Sequence, residues 1–139
     1  MNEKLDKQLC DKYPLLLKNR HNPKSCFVFG FEVNDGWFWL LDKTFGVIDK
    51  YHRESRVLDD KTGNYRLRTN EEYPYIEQVK EKFSSLRIYI NNADDHIHSV
   101  IEFAEYLSNF ICEDCGTLEN VSKNKEGWIK TLCVNCRKK

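Results

Sequence analysis

Hydrophobic residues recur at helical spacing in two long segments of the chain. After the turn signal Asn34-Asp35-Gly36, apolar side chains return every three or four residues, which predicts an amphipathic core helix. The residues of this first stripe are Trp37, Leu40, Leu41, Phe45, Ile48 and Tyr51. A second stripe follows Asp94 and Asp95, one of which is predicted to cap a helix. The residues of this second stripe are Ile97, Val100, Ile101, Ala104, Leu107 and Ile111.

Two shorter segments have the composition of strands. Residues 26–33 are rich in aromatic and β-branched side chains, and so they predict a strand despite Gly30 in its middle. Residues 86–90 predict a second strand for the same reason.

Two further segments predict short helices. Pro74 suits the first turn of a helix, and Ile76, Val79 and Phe83 would then share one face. The apolar run at residues 15–17, directly after Pro14, predicts a short N-terminal helix that lies on the core.

The segment from residue 50 to 68 is basic and contains aromatic side chains. It has six Lys or Arg against three Asp or Glu. The turn signal at residues 61–64 favours a solvated hairpin. The alternative is a nucleic-acid contact, in which basic groups bind phosphates and aromatic rings stack on bases. The candidate contact residues for that alternative are Arg53, Arg56, Arg66 and Arg68.

Charge and hydropathy limit the classes of partner. The chain has 139 residues, and its 22 basic residues balance its 22 acidic ones, so no overall field attracts it to nucleic acid. No apolar run approaches the ~20 residues of a membrane-spanning helix. The first ten residues lack the apolar segment of a signal peptide, and so we expect a cytoplasmic location.

Four cysteines near the C-terminus carry the most specific chemistry in the sequence. Cys112 and Cys115 form one C-x2-C pair, and Cys133 and Cys136 form another after a gap of seventeen residues. Two tight thiolate pairs at this spacing predict one tetrahedral structural zinc ion. Disulfides would need an oxidising compartment, and a redox or iron–sulfur role is disfavoured because the acidic pair Glu113-Asp114 opposes a thiolate. A site closed by four sulfurs has no coordination position for a substrate.

The segments around these cysteines predict a small zinc finger. Gly116 permits the tight turn of a zinc knuckle, residues 127–132 suit a strand, and residues 133–139 suit a short helix. A knuckle, a hairpin and a helix in this order resemble a treble clef, and the ligand spacing resembles a GATA-type finger. Such fingers read DNA with the helix and a basic tail. Only residues 137–139 follow the last ligand, and so we do not expect sequence-specific DNA recognition.

Several short motifs recur in an order that resembles a family of small phage and prophage proteins without an assigned activity. The motifs are Phe31-Glu32, Asp35-Gly36-Trp37, Val79-Lys80-Glu81-Lys82-Phe83, Leu86-Arg87-Ile88-Tyr89, Ile101-Glu102, Cys112-Glu113-x-Cys115-Gly116, Gly127-Trp128 and Thr131-Leu132-Cys133. Ser84 stands where a glycine is expected in that family. The resemblance implies a phage or mobile-element origin, and hence the host cytoplasm, and it implies no catalytic residues.

Several acidic and histidine residues are candidates for a nuclease-like site. None of them falls in a recognisable motif, and residues 96 and 98 diverge by about 200° around a helix. The candidates are Glu32, Asp35, Glu81, Asp94, Asp95, His96 and His98. Catalysis is therefore the third hypothesis, after protein binding and nucleic-acid binding.

Two aromatic residues predict an interaction surface. Trp39 lies off the apolar stripe of the core helix, beside Phe38, and exposed aromatic side chains are typical of protein hot spots. Phe38 and Trp39 are thus the candidate contact to a protein partner or to a second copy of the chain. The alternative is that the apolar run at residues 15–17 covers them.

These patterns together predict an α+β protein with three or four helices around a small β-sheet and a C-terminal treble-clef-like zinc finger. We expect a core domain at residues 1–111 and a finger at residues 112–139 that packs on it. The expected function is binding to a host or phage protein as an inhibitor or adaptor, with nucleic acid as the alternative partner.

Overall fold

The computed structural model describes residues 1–139 and has an α+β fold, as predicted. Its four helices are α1 (Glu3–Lys12), α2 (Phe38–Glu54), α3 (Asp95–Leu107) and α4 (Val134–Arg137). Its strands are β1 (Phe31–Glu32), β2 (Arg56–Leu58), β3 (Tyr65–Leu67), β4 (Tyr75–Lys82), β5 (Ser85–Asn91), β6 (Val121–Lys123) and β7 (Thr131–Cys133).

The strands form one three-stranded sheet and two separate hairpins. In the sheet, β4 lies between β1, to which it is parallel, and β5, to which it is antiparallel. The hairpins are β2–β3 and β6–β7. Helix α3 contacts both α2 and β5, and the core therefore lies between this sheet and the two long helices.

The two helical stripes in the sequence form the centre of the core. Trp37, directly before α2, is fully buried, as are Leu41, Phe45 and Ile48 on α2, and all four belong to a continuous cluster of 21 buried apolar residues. Helix α3 begins where predicted, because the Asp94 carboxylate accepts a hydrogen bond from the backbone N–H of Ile97. Both helix predictions are confirmed.

The helix predicted after Pro74 is wrong, because the segment forms β4. A β-bulge between Ile76 and Gln78 adds one residue to this strand. As a result Ile76 and Val79, three residues apart, are both fully buried, and the spacing imitates a helical turn. Phe83, the third residue of the predicted stripe, lies in the turn after β4 and is exposed.

The strand predicted at residues 26–33 is mostly wrong. Residues Cys26–Phe29 form a 3-10 turn, which the Ser25 hydroxyl caps by accepting from the Phe27 backbone N–H. Gly30 then takes a φ of +78°, and the two-residue strand β1 follows. The glycine thus divides the apolar segment instead of weakening a strand.

The N-terminal helix is also displaced from its predicted position. Helix α1 begins after Asn2, whose side chain caps it, and ends at Lys12 before the apolar run. Leu16 and Leu17 are buried in the turns that follow, and Leu15 is partly exposed. These leucines pack into the core without belonging to a helix.

The basic segment forms the predicted hairpin. Strands β2 and β3 pair, and the connection includes Gly63 with a φ of +71°. This left-handed conformation explains why a glycine stands in the turn. No helix of the structure is both long enough and apolar enough to span a membrane.

Candidate metal centre

The first cysteine pair lies on a tight knuckle. The Gly116 backbone N–H donates to the Cys112 carbonyl at 2.8 Å, and the Cys112 N–H donates to the Thr117 carbonyl at 2.9 Å. Gly116 has a φ of +79°, which favours glycine. This turn brings the two side chains of Cys112 and Cys115 to the same side.

The second pair lies where β7 runs into α4. Cys133 ends the strand and is the N-cap of the short helix, and Cys136 lies in its first turn. The predicted order of knuckle, hairpin and helix is therefore present in residues 112–139.

The four sulfur atoms converge on one point. All four lie within 4.8 Å of one another, and the Sγ atoms of Cys115 and Cys133 are 3.7 Å apart. Four sulfurs at about 2.3 Å from a central zinc ion would be about 3.8 Å apart at the tetrahedral angle. A disulfide needs about 2.05 Å. The geometry therefore fits a structural metal ion such as zinc.

The thiols of the cluster influence one another's protonation. The Cys136 backbone N–H donates to the Cys133 sulfur at 3.4 Å and lowers the pKa of that thiol to about 7. Hydrogen bonds with the sulfurs of Cys115 and Cys133 raise the pKa of Cys136 to about 12. Without a cation the sulfurs must share protons, whereas a divalent ion would neutralise several thiolates at once.

One side of the centre faces solvent. Cys112, Cys133 and Cys136 are buried, and Cys115 is exposed. Chelators and oxidants can therefore approach the site from the Cys115 side.

Gly36 and Trp37 hold the knuckle against the core. The Gly36 N–H donates to the Glu113 carbonyl at 2.8 Å, and the Trp37 indole donates to the Ile111 carbonyl at 3.0 Å. A Cβ on Gly36 would lie 2.2 Å from the Cys112 carbonyl oxygen, which is too close for any side chain. Neither the turn signal nor the motif Asp35-Gly36-Trp37 indicated this contact, because Gly36 and Glu113 are far apart in the sequence.

A second contact joins the finger to the sheet. The Thr131 hydroxyl donates to the Ser84 carbonyl at 2.6 Å, and both residues are fully buried. The Thr131 carbonyl in turn accepts from the Glu113 N–H at 2.9 Å. Both cysteine pairs are thus attached to the core within two residues of a ligand.

Glu113 is an unusual buried acid in this contact. It is 4% exposed, and its Oε2 atom has no hydrogen-bond partner. Burial raises the pKa of this carboxyl group, while nearby Lys130 opposes the shift.

Three of the four arginines considered for nucleic-acid binding form ion pairs with carboxylates. Arg53 pairs with Asp49 at 2.6 Å on α2. Arg66 pairs with Glu72 at 2.6 Å, and Arg68 with Asp94 at 3.0 Å. Arg56 is exposed and forms no ion pair. The structure therefore offers a nucleic-acid backbone one unpaired arginine in this segment.

Phe38 and Trp39 differ in exposure. Trp39 is 62% exposed on α2, whereas Phe38 is half-buried and packs against the core. The apolar run at residues 15–17 leaves Trp39 uncovered. The predicted exposure therefore holds for Trp39 and not for Phe38.

The acids of the nuclease hypothesis lie in separate places. Asp35 accepts two hydrogen bonds from Asn2, and the backbone bond lowers the pKa of its carboxyl group. Asp94 caps α3, and Glu81 accepts from the Ser84 N–H. The four cysteines are the only group of three or more His, Cys, Asp or Glu side chains close enough to hold a metal ion.

One apolar surface was not predictable from the sequence. Phe83, Trp128 and Ile129 are exposed, and they line a groove of about 440 Å³ between the end of β4 and the finger loop. The available signals were a tryptophan directly after Gly127 and a phenylalanine directly before two serines. Both are apolar residues at turn positions, where burial is not expected.

Comparisons with protein-family models, with curated proteins and with solved structures found no match to this chain.

Proposed function

We propose that this is a zinc-stabilised, non-enzymatic binding protein of phage type that engages a host or phage protein as an inhibitor or adaptor. The observation that carries the proposal is the convergence of four cysteine sulfurs within 4.8 Å. Four protein ligands complete a tetrahedral zinc site, and so the ion would hold the finger together without contacting a substrate.

The distribution of exposed apolar side chains supports a protein partner. Trp39, Phe83 and Trp128 are all largely exposed. Large aromatic side chains carry much of the binding energy at protein interfaces. The balance of 22 basic and 22 acidic residues, together with the paired arginines of β2–β3, provides little attraction for nucleic acid.

The phage assignment rests on the resemblance of the motifs. Two of the motifs, at residues 35–37 and 112–116, contact each other through Gly36 and Glu113. A shared order of motifs that join two parts of one structure supports a common fold with the phage proteins. It assigns no reaction.

Metal analysis tests the first half of the proposal. The purified protein should contain one zinc ion per chain, measured by elemental analysis, and Cys133→Ser should lose it. Cys26→Ser is the control, because Cys26 is exposed and lies outside the cluster. Full zinc content in Cys133→Ser would contradict the four-cysteine site.

Partner capture tests the second half. Tagged zinc-loaded protein should retain a host or phage protein in a fixed ratio, as determined by native mass spectrometry. A variant with both Trp39→Ala and Trp128→Ala should keep its zinc and lose the partner. Tight binding of oligonucleotides that weakens steeply with salt, together with no captured protein, would contradict the proposed function.

A further inference from the structure

The seam groove is a cleft between the core and the finger. We define it by Lys80, Lys82 and Phe83 on the core side and by Trp128 and Ile129 on the finger side. Its volume is about 440 Å³, which suits one or two large side chains of a partner. Because both halves of the molecule line it, the groove exists only while the finger is docked.

The walls of this groove are apolar and uncovered. Phe83 is 78% exposed, Trp128 is 76% exposed and Ile129 is 49% exposed. Three large apolar side chains around one cleft expose surface that would be removed from water by a partner.

The turn that presents Phe83 has an unfavourable backbone conformation. Phe83 and Ser84 have φ values of +53° and +66°, in the left-handed region that glycine or asparagine usually occupies in two-residue hairpin turns. The turn is held because Glu81 accepts from the Ser84 N–H at 2.9 Å and Thr131 donates to the Ser84 carbonyl at 2.6 Å. These contacts fix the backbone so that the phenylalanine ring projects outward beside the groove.

The two lysines at the groove, Lys80 and Lys82, form no ion pair. Lys80 faces Arg87 across β4 and β5, and Glu32 on its other side accepts from Gln78. The only acid at the groove, Glu81, bonds to the turn backbone. The groove therefore combines apolar walls with two lysines against one acid, and Lys82 lies over the Phe83 ring at 5.5 Å.

We propose that the seam groove binds a segment of a partner protein that presents a large apolar side chain flanked by Asp or Glu. The apolar side chain lies between Phe83 and Trp128, and the flanking carboxylates pair with Lys80 and Lys82. This inference rests on the proposed function, because it names the surface and the chemistry of the protein partner. A single nucleic-acid strand is a less suitable occupant, because the chain has no net charge and only two lysines line the groove to bind phosphates.

A peptide selection tests the inference. A random peptide library displayed on phage is selected against the immobilised, zinc-loaded protein, and the enriched peptides are sequenced. We expect enrichment of aromatic or aliphatic residues next to Asp or Glu. Enrichment without acidic residues, with basic residues, or no enrichment at all would overturn the inference.

Binding of the best enriched peptide is then measured by fluorescence anisotropy. Trp128→Ala should weaken it at least about tenfold, as expected for a hot-spot tryptophan. The double variant Lys80→Glu, Lys82→Glu should also weaken peptide binding, and the loss of affinity should be larger at low salt than at high salt. Phe103→Ala is the matched control, since Phe103 is 62% exposed on α3 but does not line the groove. Each variant is first shown to hold one zinc ion.

The outcomes separate the inference from the function on which it rests. If Trp39→Ala abolishes partner capture while Trp128→Ala leaves it intact, the groove inference is wrong and the proposed function stands. If neither peptide nor protein binds, and labelled oligothymidylate binds with a steep salt dependence that Trp128→Ala removes, both are wrong and the groove is a single-strand site.

Discussion

The core and the finger of this protein are stabilised by different means. The core buries 21 apolar residues in one continuous cluster. In the finger the buried cluster consists of Cys112, Cys133 and Cys136, with Val121 and Leu132 partly buried beside them. Removal of apolar surface from water can stabilise the core, whereas the buried cluster of the finger offers little apolar surface for this purpose. We therefore expect the finger to depend on a bound metal more than the core does.

Loss of the metal should have the largest effect, because it should destabilise the finger and leave the core folded. Binding of structural zinc contributes about 10 kcal/mol to the folding of small fingers. Chelation, or Cys133→Ser, should therefore unfold residues 112–139 while the α2 and α3 helices persist. Amide hydrogen exchange would show lost protection in β6 and β7 and retained protection in β4 and β5. Cys26→Ser should change neither, and simultaneous loss of protection in both regions would mean that the core also depends on the metal.

Gly36→Ala should separate the two regions without removing the metal. The added Cβ would meet the Cys112 carbonyl at 2.2 Å, and so the knuckle must move away from α2. Overpacking of this kind costs about 1–3 kcal/mol, which denaturant unfolding can measure. Gly46→Ala is the control, because its Cβ would meet only the Tyr13 hydroxyl at 3.2 Å. Equal stability of the two variants would show that the close approach at Gly36 is unimportant.

Thr131→Val should weaken the second contact at a cost of the same order. The variant keeps the volume of the side chain but leaves the buried Ser84 carbonyl without its hydroxyl donor. An unpaired buried polar group costs about 1–3 kcal/mol. Thr131→Ser retains a hydroxyl and should recover most of the loss in thermal unfolding. A similar loss in both variants would assign the effect to packing.

Mild acid should act on the core through His52. This side chain is buried, its Nε2 faces the Thr69 carbonyl at 3.2 Å, and its Nδ1 has no partner. Burial lowers the pKa of His52 below its ordinary value of 6.5. The unfolded chain therefore binds a proton more readily, and stability is complete above pH 6.5 and declines as the pH falls below it.

Denaturant unfolding between pH 7.5 and 5.5 measures this effect, which we expect to be the smallest of the four. The slope should disappear in His52→Gln. Zinc content must be followed in parallel, because protonation of the cysteines also releases metal as the pH falls. A slope that persists in His52→Gln at constant zinc content would assign the acid sensitivity to other groups.

Local sequence patterns were sufficient to predict those elements whose conformation depends on residues close together in the chain. The stripe of α2, the cap of α3 and the spacing within each C-x2-C pair concern neighbours within a few residues along the chain. The sequence therefore predicted both long helices correctly, and it identified four cysteines that the structure brings together.

Longer-range effects explain the errors. The bulge in β4 places Ile76 and Val79 on one face three residues apart, and only the pairing with β5 distinguishes this from a helical turn. The constraint on Gly36 comes from Cys112, far away in the sequence. The seam groove could not be predicted either, since Phe83 and Trp128 become neighbours only when the finger docks.

The contacts that attach the finger also have a consequence for the order of folding. Trp37 bonds to a carbonyl 74 residues away, and Thr131 bonds to one 47 residues away. The four cysteines, in contrast, lie within one short stretch of chain and can collect a metal ion by local closure. Contacts between distant residues form slowly. We therefore expect the finger to form early around its metal and to dock last, so that the seam groove, which both parts line, is complete only after this final step.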